Sequence, residues 1–244
     1  MKHTFKIGAG VALVVIVGGF SVLHLWQSPN AQQILGHMAK VYTECKSYRD
    51  TGVVKSANGT FSMEGTFATA FVRPDRFRFD YTGKNSIRPE FRYIVCQKGQ
   101  VISRWSDVSP HRPPPESLGL ALAGGTGVSG GAAHTIPALL LPDQVKGWQL
   151  TDMTAATRIG DESLNGIPCF RIRGKNVLQN RSLYLNSTLL LWVDKKTYVL
   201  RKLEETSEIH MGTTIFKTVT TTTYDVNIDT KINDDEFEFN PPQA

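Results

Sequence analysis

The stretch Phe67–Tyr81, FATAFVRPDRFRFDY, decides the fold of this chain. Aromatic residues recur at even spacing on each side of its break at Arg73-Pro74-Asp75: Phe61, Phe67 and Phe71 before it, and Phe77, Phe79 and Tyr81 after it. Spacing by multiples of two predicts two β-strands that share one apolar face. Pro74 has no donor for a strand ladder, so the chain should turn there or run along an edge. The functional question is whether protein or a ligand covers that face.

Residues 7–26 form an apolar run that follows Lys2 and Lys6. A run of about 20 apolar residues can span a bilayer, whereas the apolar part of a secretory signal is usually about 7–15 residues long. Residues 1–31 are therefore expected to be a transmembrane anchor or a signal peptide, and we favour the anchor. In both cases the positive end stays in the cytoplasm, so residues 32–244 should form an extracytoplasmic domain.

The charge of the chain is too small to indicate a nucleic-acid partner. The 244 residues carry a net charge of +5, and removing residues 1–31 removes two lysines and no acid, which leaves +3. The basic residues are scattered rather than grouped in a run. A domain of this length is enough for one sizeable core.

The three cysteines are Cys45, Cys96 and Cys169. In an oxidising compartment two of them can pair, and the sequence leaves open whether Cys45 pairs with Cys169 or with Cys96. Their wide spacing argues against a zinc site. The alternative is that at least one is a small buried apolar residue.

The periodicity predicts one helix over residues 32–46, followed by a chain that is mainly β. Asn58-Gly59 and Asn165-Gly166 are two-residue hairpin signals. The pattern indicates about 11 strands. The expected strands are 50–57, 60–73, 75–82, 90–98, 100–106, 148–153, 155–164, 167–174, 183–193, 197–209 and 212–228.

An apolar segment, residues 116–141, interrupts the strands. It is expected to form a short helix that ends at Gly124-Gly125 and a second helix or turn near Pro137. It contains no formal charge after Glu116, so it should lie against an apolar surface. The order of elements predicts a strongly curved, unclosed antiparallel sheet with short helices on its concave side.

Several motifs resemble the LolA-like superfamily of periplasmic lipoprotein carriers. The segment Arg73–Phe79, RPDRFRF, is similar to the R-P-x-x-F-x-aromatic motif of that family. The segments 34–52 and 191–205 resemble its opening helix and a strand-turn-strand unit. The segment 229–242 resembles its usual end, in which a short acidic segment precedes a final aromatic strand and prolines. The resemblance covers residues 33–242.

The resemblance implies an unclosed β-barrel with a helical lid, whose cavity takes lipid acyl chains and needs no cofactor. It implies that Arg73 ties the lid shut. The chain departs from the pattern in its long glycine-rich insertion, its cysteines and its expected tether, and a tethered protein does not fit a shuttle that must leave the membrane. The residues expected to line the cavity are Phe61, Phe67, Phe71, Phe77, Phe79, Tyr81, Leu139 and Leu140.

Three functions are weighed against one another. The first is a carrier-like protein that binds a lipid acyl chain or a lipidated protein between sheet and lid. The second is a module of the same fold that contacts or senses another envelope protein. The third, a hydrolase, would rest on residues 127–131, GVSGG, which match G-x-S-x-G; that motif requires a parallel α/β context, so no catalytic site is expected.

Overall fold

The computed structural model describes residues 28–59, 61–110, 112–179, 184–211 and 214–240. The expected mainly-β fold is confirmed, because the ten strands of this part of the chain form one antiparallel sheet accompanied by three helices. The elements are α1 (Ala31–Glu44), β1 (Ser47–Asn58), β2 (Phe61–Val72), β3 (Arg76–Asn85), β4 (Phe91–Lys98), β5 (Val101–Ser106), α2 (Leu118–Thr126), α3 (Ala132–Leu140), β6 (Thr154–Leu164), β7 (Ile167–Gln179), β8 (Tyr184–Asp194), β9 (Leu200–Met211) and β10 (Thr214–Ile228).

The sheet consists of two meanders joined side by side. Its order is β5-β4-β3-β2-β1-β10-β9-β8-β7-β6, so β1 and β10 join the meanders at the centre and β5 and β6 are the edges. In the described part of the chain the two edges do not pair with each other, so the sheet is not a closed barrel. Both predicted hairpins form, with Gly59, Asn165 and Gly166 at positive φ, as tight two-residue turns require.

The helical insertion crosses the concave face because of this strand order. It connects β5 to β6, which lie at opposite edges of the sheet. The connection therefore spans the curve of the sheet, and α2 and α3 pack on the aromatic core. We call α2, α3 and the loop between them the lid.

The alternation of residues along the strands sets the concave face. Phe67 lies opposite Tyr81, and Phe71 lies opposite Phe77, in the antiparallel register of β2 and β3. The rings of Phe67 and Phe79 stack with their centroids 6.2 Å apart. Facing aromatic pairs of this kind stabilise a sheet and fix its register.

Glycines in the central strands make room for two of these rings. A Cβ atom added at Gly52 would lie 2.1 Å from Cζ of Phe67, and one added at Gly65 or Gly83 would lie 2.3 Å from the hydroxyl of Tyr81. The rings therefore lie directly over backbone that carries no side chain. Glycine inside a strand is typical of sharp bends and of such close approaches.

Helix α1 begins with a capping box. The side chain of Asn30 accepts a hydrogen bond from the Gln33 N–H at 2.9 Å, and the Gln33 side chain accepts one from the Asn30 N–H at 2.9 Å. This pairing satisfies free donors of the first turn. The apolar side of the helix is buried on the core through Ile34, Leu35, Met38 and Tyr42.

Three sequence-based expectations about local structure are wrong. Residues 148–153 do not form a strand; they contain a 3₁₀ helix (Leu150–Asp152), in which Asp152 accepts a hydrogen bond from the Gln149 N–H at 3.1 Å. Gly124 and Gly125 do not end α2, which continues to Thr126. The closing acidic segment forms a 3₁₀ helix (Asp234–Phe237) rather than leading into a final strand.

Within the described residues, none of the helices combines the length and the apolar character that crossing a membrane requires. Residues 7–26, for which an anchor or a signal is expected, lie outside the described residues.

Candidate ligand-binding site

The aromatic face is covered by the chain itself. Seven of the eight residues expected to line the cavity are buried: Phe67, Phe71, Phe77, Phe79, Tyr81, Leu139 and Leu140. They belong to one core together with residues of α1 and of the lid. Phe61, at the start of β2, is 38% exposed. The sheet and lid therefore meet through side chains in this state, and a ligand that reached the buried residues would have to displace the lid.

The lid lies against the sheet through small residues and one strong hydrogen bond. The hydroxyl of Tyr93 in β4 donates to the carbonyl of Ala121 in α2 at 2.6 Å. A Cβ atom added at Gly125 would lie 2.7 Å from the ring of Tyr93, and one added at Gly130 would lie 2.7 Å from Cε of Met63. The glycines of the insertion therefore allow close contact between lid and sheet, in addition to forming the loop between the helices.

Arg73 joins the ends of α1 and α3. Its Nε donates to the Cys45 carbonyl at 2.9 Å, and its Nη2 donates to the carbonyls of Tyr42 at 2.9 Å and Leu140 at 3.0 Å. These carbonyls lie at the C-terminal ends of two helices, where free acceptors and the negative end of the helix dipole favour a cation. The guanidinium group also lies 5.0 Å from the centroid of the Phe71 ring. The lid tie expected at Arg73 stays a prediction, and these are the contacts that it would use.

A buried carboxyl lies on the concave face of β1. The side chain of Asp50 is 1% exposed; it accepts hydrogen bonds from the Tyr48 hydroxyl at 2.7 Å and from the Thr69 N–H at 2.9 Å. Burial raises its pKa to about 7, although these two hydrogen bonds act in the opposite direction. Burial also raises the pKa values of the nearby hydroxyls of Tyr48 and Tyr224. The sequence gives no signal for this carboxyl beyond its alternation in β1.

Asp50 should make the stability of the protein depend on pH. Its folded-state pKa of about 7 lies above the usual value of about 4 in an unfolded chain. Between these values the folded state binds more protons, so the free energy of unfolding should fall as pH rises. We expect a loss of about 2 kcal/mol between pH 5 and pH 7, measured by urea unfolding, and a clearly smaller loss in Asp50→Asn. Asp225→Asn, at an exposed position of β10, is the control; equal pH dependence in all three proteins would contradict the assignment.

An open cleft lies at the end of the sheet opposite Arg73. It has a volume of about 520 Å³ and contains the first residues of β2 and the loop between α2 and α3. We call it the mouth cleft. Its apolar residues are Phe61, Met63, Phe91, Val108 and Val128. Because Met63 and Phe91 are themselves buried members of the aromatic core, the floor of the mouth cleft is continuous with the concave face beneath the lid.

A smaller cleft shares a wall with the mouth cleft. Phe91, Val108 and Val128 line both. This side cleft has a volume of about 90 Å³ and is also lined by Arg104 and Arg112, whereas Arg88 lines the mouth cleft. A Cβ atom added at Gly124 would lie 3.6 Å from Nη1 of Arg104, so this arginine stands between the edge strand β5 and the lid helix α2.

The three cysteines lie in the interior of the protein. Cys45, Cys96 and Cys169 are free and buried, and burial raises the pKa of each thiol to about 11. Pairing of Cys45 with Cys169 stays a prediction.

Ser129 is fully buried, and its hydroxyl accepts a hydrogen bond from the Ala133 N–H at 3.0 Å. The hydroxyl of the G-x-S-x-G match is therefore not presented to solvent as a nucleophile would be.

The fold and the site define a class of protein: a half-barrel whose helical lid covers an apolar concave face. Among similar solved structures are LolA superfamily protein NE2245 from Nitrosomonas europaea, at 12% identity and a TM-score of 0.34, covering 87% of this chain and 99% of that one, and LprF from Mycobacterium bovis, at 13% identity and a TM-score of 0.43, covering 83% and 94%. A third is the MucA/MucB complex of Pseudomonas aeruginosa, at 12% identity and a TM-score of 0.41, covering 86% of this chain and 61% of that one.

These similarities, at 12–13% identity and TM-scores below 0.5, carry no argument about function. No protein-family model matches the chain, and no curated protein matches it. The functional argument therefore rests on the site.

Proposed function

We propose that this chain is an exported, carrier-like protein of the bacterial cell envelope that binds a lipid acyl chain or a lipidated protein between its curved sheet and its lid. The mouth cleft carries the proposal. It is an opening of about 520 Å³ in which five apolar side chains lie beside serine, threonine, asparagine and arginine residues, and its size is typical of ligand pockets. Its floor continues into an aromatic face that the lid and α1 cover.

In this proposal the ligand enters at the mouth and replaces lid side chains on the concave face. The eight residues from Phe61 to Leu140 that were expected to line the cavity would contact the acyl chain. Burial of about ten methylene groups contributes on the order of 8 kcal/mol. Three hydrogen bonds from a charged group, such as those of Arg73, contribute about 1.5–3 kcal/mol each. The two quantities are comparable, and the acyl chain would also cover the apolar surface of the sheet that the displaced lid side chains leave.

The location of the protein is part of the same proposal. Residues 7–26 would hold the domain at the outer side of the inner membrane, and the described domain would then lie in the periplasm. Such a tether would keep the domain at the membrane surface, and it fits a protein that receives or presents a ligand there better than one that diffuses away with its ligand.

A second candidate function is an envelope protein-interaction or stress-sensing module that transports no lipid. The observation that favours it is the filled interior: Phe71, Phe77, Phe79 and Leu140 have no exposed surface. A module of this kind would use the outside of the half-barrel and would keep its lid closed.

Lipid retention by the full chain tests the first proposal. The purified protein, extracted with organic solvent, should release acyl lipids that mass spectrometry detects, and it should bind phosphatidylcholine that carries a fluorescent acyl chain. Phe61→Glu places a charge in the mouth cleft and should weaken this binding about tenfold or more. Val177→Glu, a matched change at a side chain that is 50% exposed on β7, should leave it unchanged. Absence of both extracted and bound lipid would contradict the proposal and favour the second candidate.

A further inference from the structure

Three arginines stand around the mouth. Arg88 lines the mouth cleft, and Arg104 and Arg112 line the side cleft. Because the two clefts share Phe91, Val108 and Val128, the three arginines line clefts that have one apolar wall in common. The arginines come from three separate segments of the chain, the β3–β4 loop, β5 and the loop before α2, so the fold brings them together.

These arginines lack the carboxylate partners that other arginines of the protein have. Arg49, Arg158 and Arg201 pair with Glu236, Asp161 and Asp194. Among the described residues, neither cleft is lined by an aspartate or a glutamate, and no ion pair involves Arg88, Arg104 or Arg112. Arg104 donates to the carbonyl of Pro113 at 3.3 Å, which leaves other N–H groups for a further acceptor.

The combination of apolar walls and unpaired guanidinium groups decides the class of ligand. A purely apolar ligand would gain nothing from three cations, and a soluble anion would gain nothing from Phe61, Val108 and Val128, whose exposed fractions are 38%, 49% and 38%. An amphiphile with an acyl chain and an anionic head satisfies both. Arginine holds phosphate and carboxylate oxygens with paired N–H donors in a fixed fork.

We propose that the mouth binds an anionic amphiphile, with its acyl chain against the shared apolar wall and its phosphate or similar head held by Arg88, Arg104 and Arg112. This inference rests on the proposed acyl-chain binding and adds the charge of the head. Arg104 lies beside Gly124 of α2, so a head bound there would contact the lid while the acyl chain occupied the floor below. The head would then remain at the mouth after the lid had moved.

The test compares two lipids with the same fluorescent acyl chain, phosphatidylglycerol and phosphatidylcholine, on the full-length protein. We expect about tenfold tighter binding of phosphatidylglycerol, because the ammonium group of phosphatidylcholine already offsets the charge of its phosphate. The double variant Arg104→Gln/Arg112→Gln should lose that preference, and its phosphatidylcholine binding should change much less. Arg173→Gln also removes one positive charge, at an exposed position of β7. This control variant should keep the preference for phosphatidylglycerol. Arg88→Gln provides a second variant if the double variant does not fold.

Competition with inorganic phosphate and with glycerol 3-phosphate tests whether the bound anion is a lipid head group or a free phosphate. Competition by both against phosphatidylglycerol, but not against phosphatidylcholine, supports an anion site within a lipid site. Equal affinity for the two lipids in the wild-type protein, or an equal loss of both in the double variant, would overturn the inference while leaving acyl-chain binding intact. Binding of phosphate without either lipid would overturn the amphiphile and the proposed function together.

Discussion

Replacing Arg73 with glutamine is expected to lower the free energy of unfolding by about 5 kcal/mol and to loosen the lid. The change removes three hydrogen bonds from a charged donor to the carbonyls of Tyr42, Cys45 and Leu140. Such bonds contribute about 1.5–3 kcal/mol each, and the carbonyls left behind lose their partner. Guanidinium chloride unfolding measures the loss, and hydrogen exchange at the end of α3 should speed up more than exchange in the central strands.

The thiol of Cys45 reports on the same contact. In the closed state it is buried with a pKa of about 11, so alkylation by iodoacetamide at pH 8 should be slow. Arg73→Gln should speed alkylation of Cys45 while Cys169 stays slow. Arg73→Lys should recover only part of the stability, because a single ammonium group does not reproduce the fork that reaches both helix ends. A loss of stability with unchanged exchange in α3 would mean that Arg73 supports the fold without holding the lid.

Replacing Gly52 with alanine is expected to destabilise the protein by about 3 kcal/mol or more. The added Cβ would lie 2.1 Å from Cζ of Phe67 and 2.4 Å from the carbonyl oxygen of Thr223. The second atom belongs to the backbone of β10, so rotation of a side chain does not relieve the overlap. Overpacking in a core typically costs about 1–3 kcal/mol and occasionally more. Because β1 and β10 join the two meanders, the strain falls on their common seam.

A second glycine provides a matched control, because its replacement by alanine should change the stability in the opposite direction. Gly36 lies inside α1, and an added Cβ there would meet nothing within 4 Å. Gly36→Ala should therefore stabilise the protein by about 0.5–1 kcal/mol, since alanine loses less conformational entropy in a helix. Thermal unfolding of both variants separates the two effects. A Gly52→Ala protein as stable as the wild type would contradict the close approach of Phe67 and of β10 to this position.

The sequence predicts the elements of this fold well where local chemistry decides them. Asn165-Gly166 is the turn between β6 and β7 that the sequence predicts, and the predicted hairpin of β1 and β2 forms although Asn58 pairs with Phe61 as the last residue of β1. The alternation in Phe67–Tyr81 places the aromatic rings on one face. Residues 148–153 contain apolar positions that suit a strand, but the hydrogen bond between Gln149 and Asp152 closes a 3₁₀ turn there. Ladder pairing with β7 begins only at Thr154.

The candidate site is less predictable because it depends on which distant segments meet. The motif predicts a role for Arg73, yet its three acceptors are carbonyls at the ends of two helices that the motif does not contain. Arg88, Arg104 and Arg112 carry no local signal, since only the fold of the lid over the sheet brings them to one wall. The extent to which side chains fill the interior follows from packing in three dimensions, so the alternation of aromatic residues predicts the apolar face without predicting how much space remains above it.

The order of the strands also has a consequence for how the chain folds during synthesis. The strands from β1 to β5 pair with their neighbours in sequence, and so do those from β6 to β10, so that each half relies on short-range pairing. The pairing of Tyr48 with Ile228 joins positions near opposite ends of the chain, and it must wait until the C-terminal strand has left the ribosome or the translocation channel. Until then the early strands have an unprotected edge at β1, which makes a nascent or newly exported chain dependent on rapid completion or on a chaperone that covers this edge.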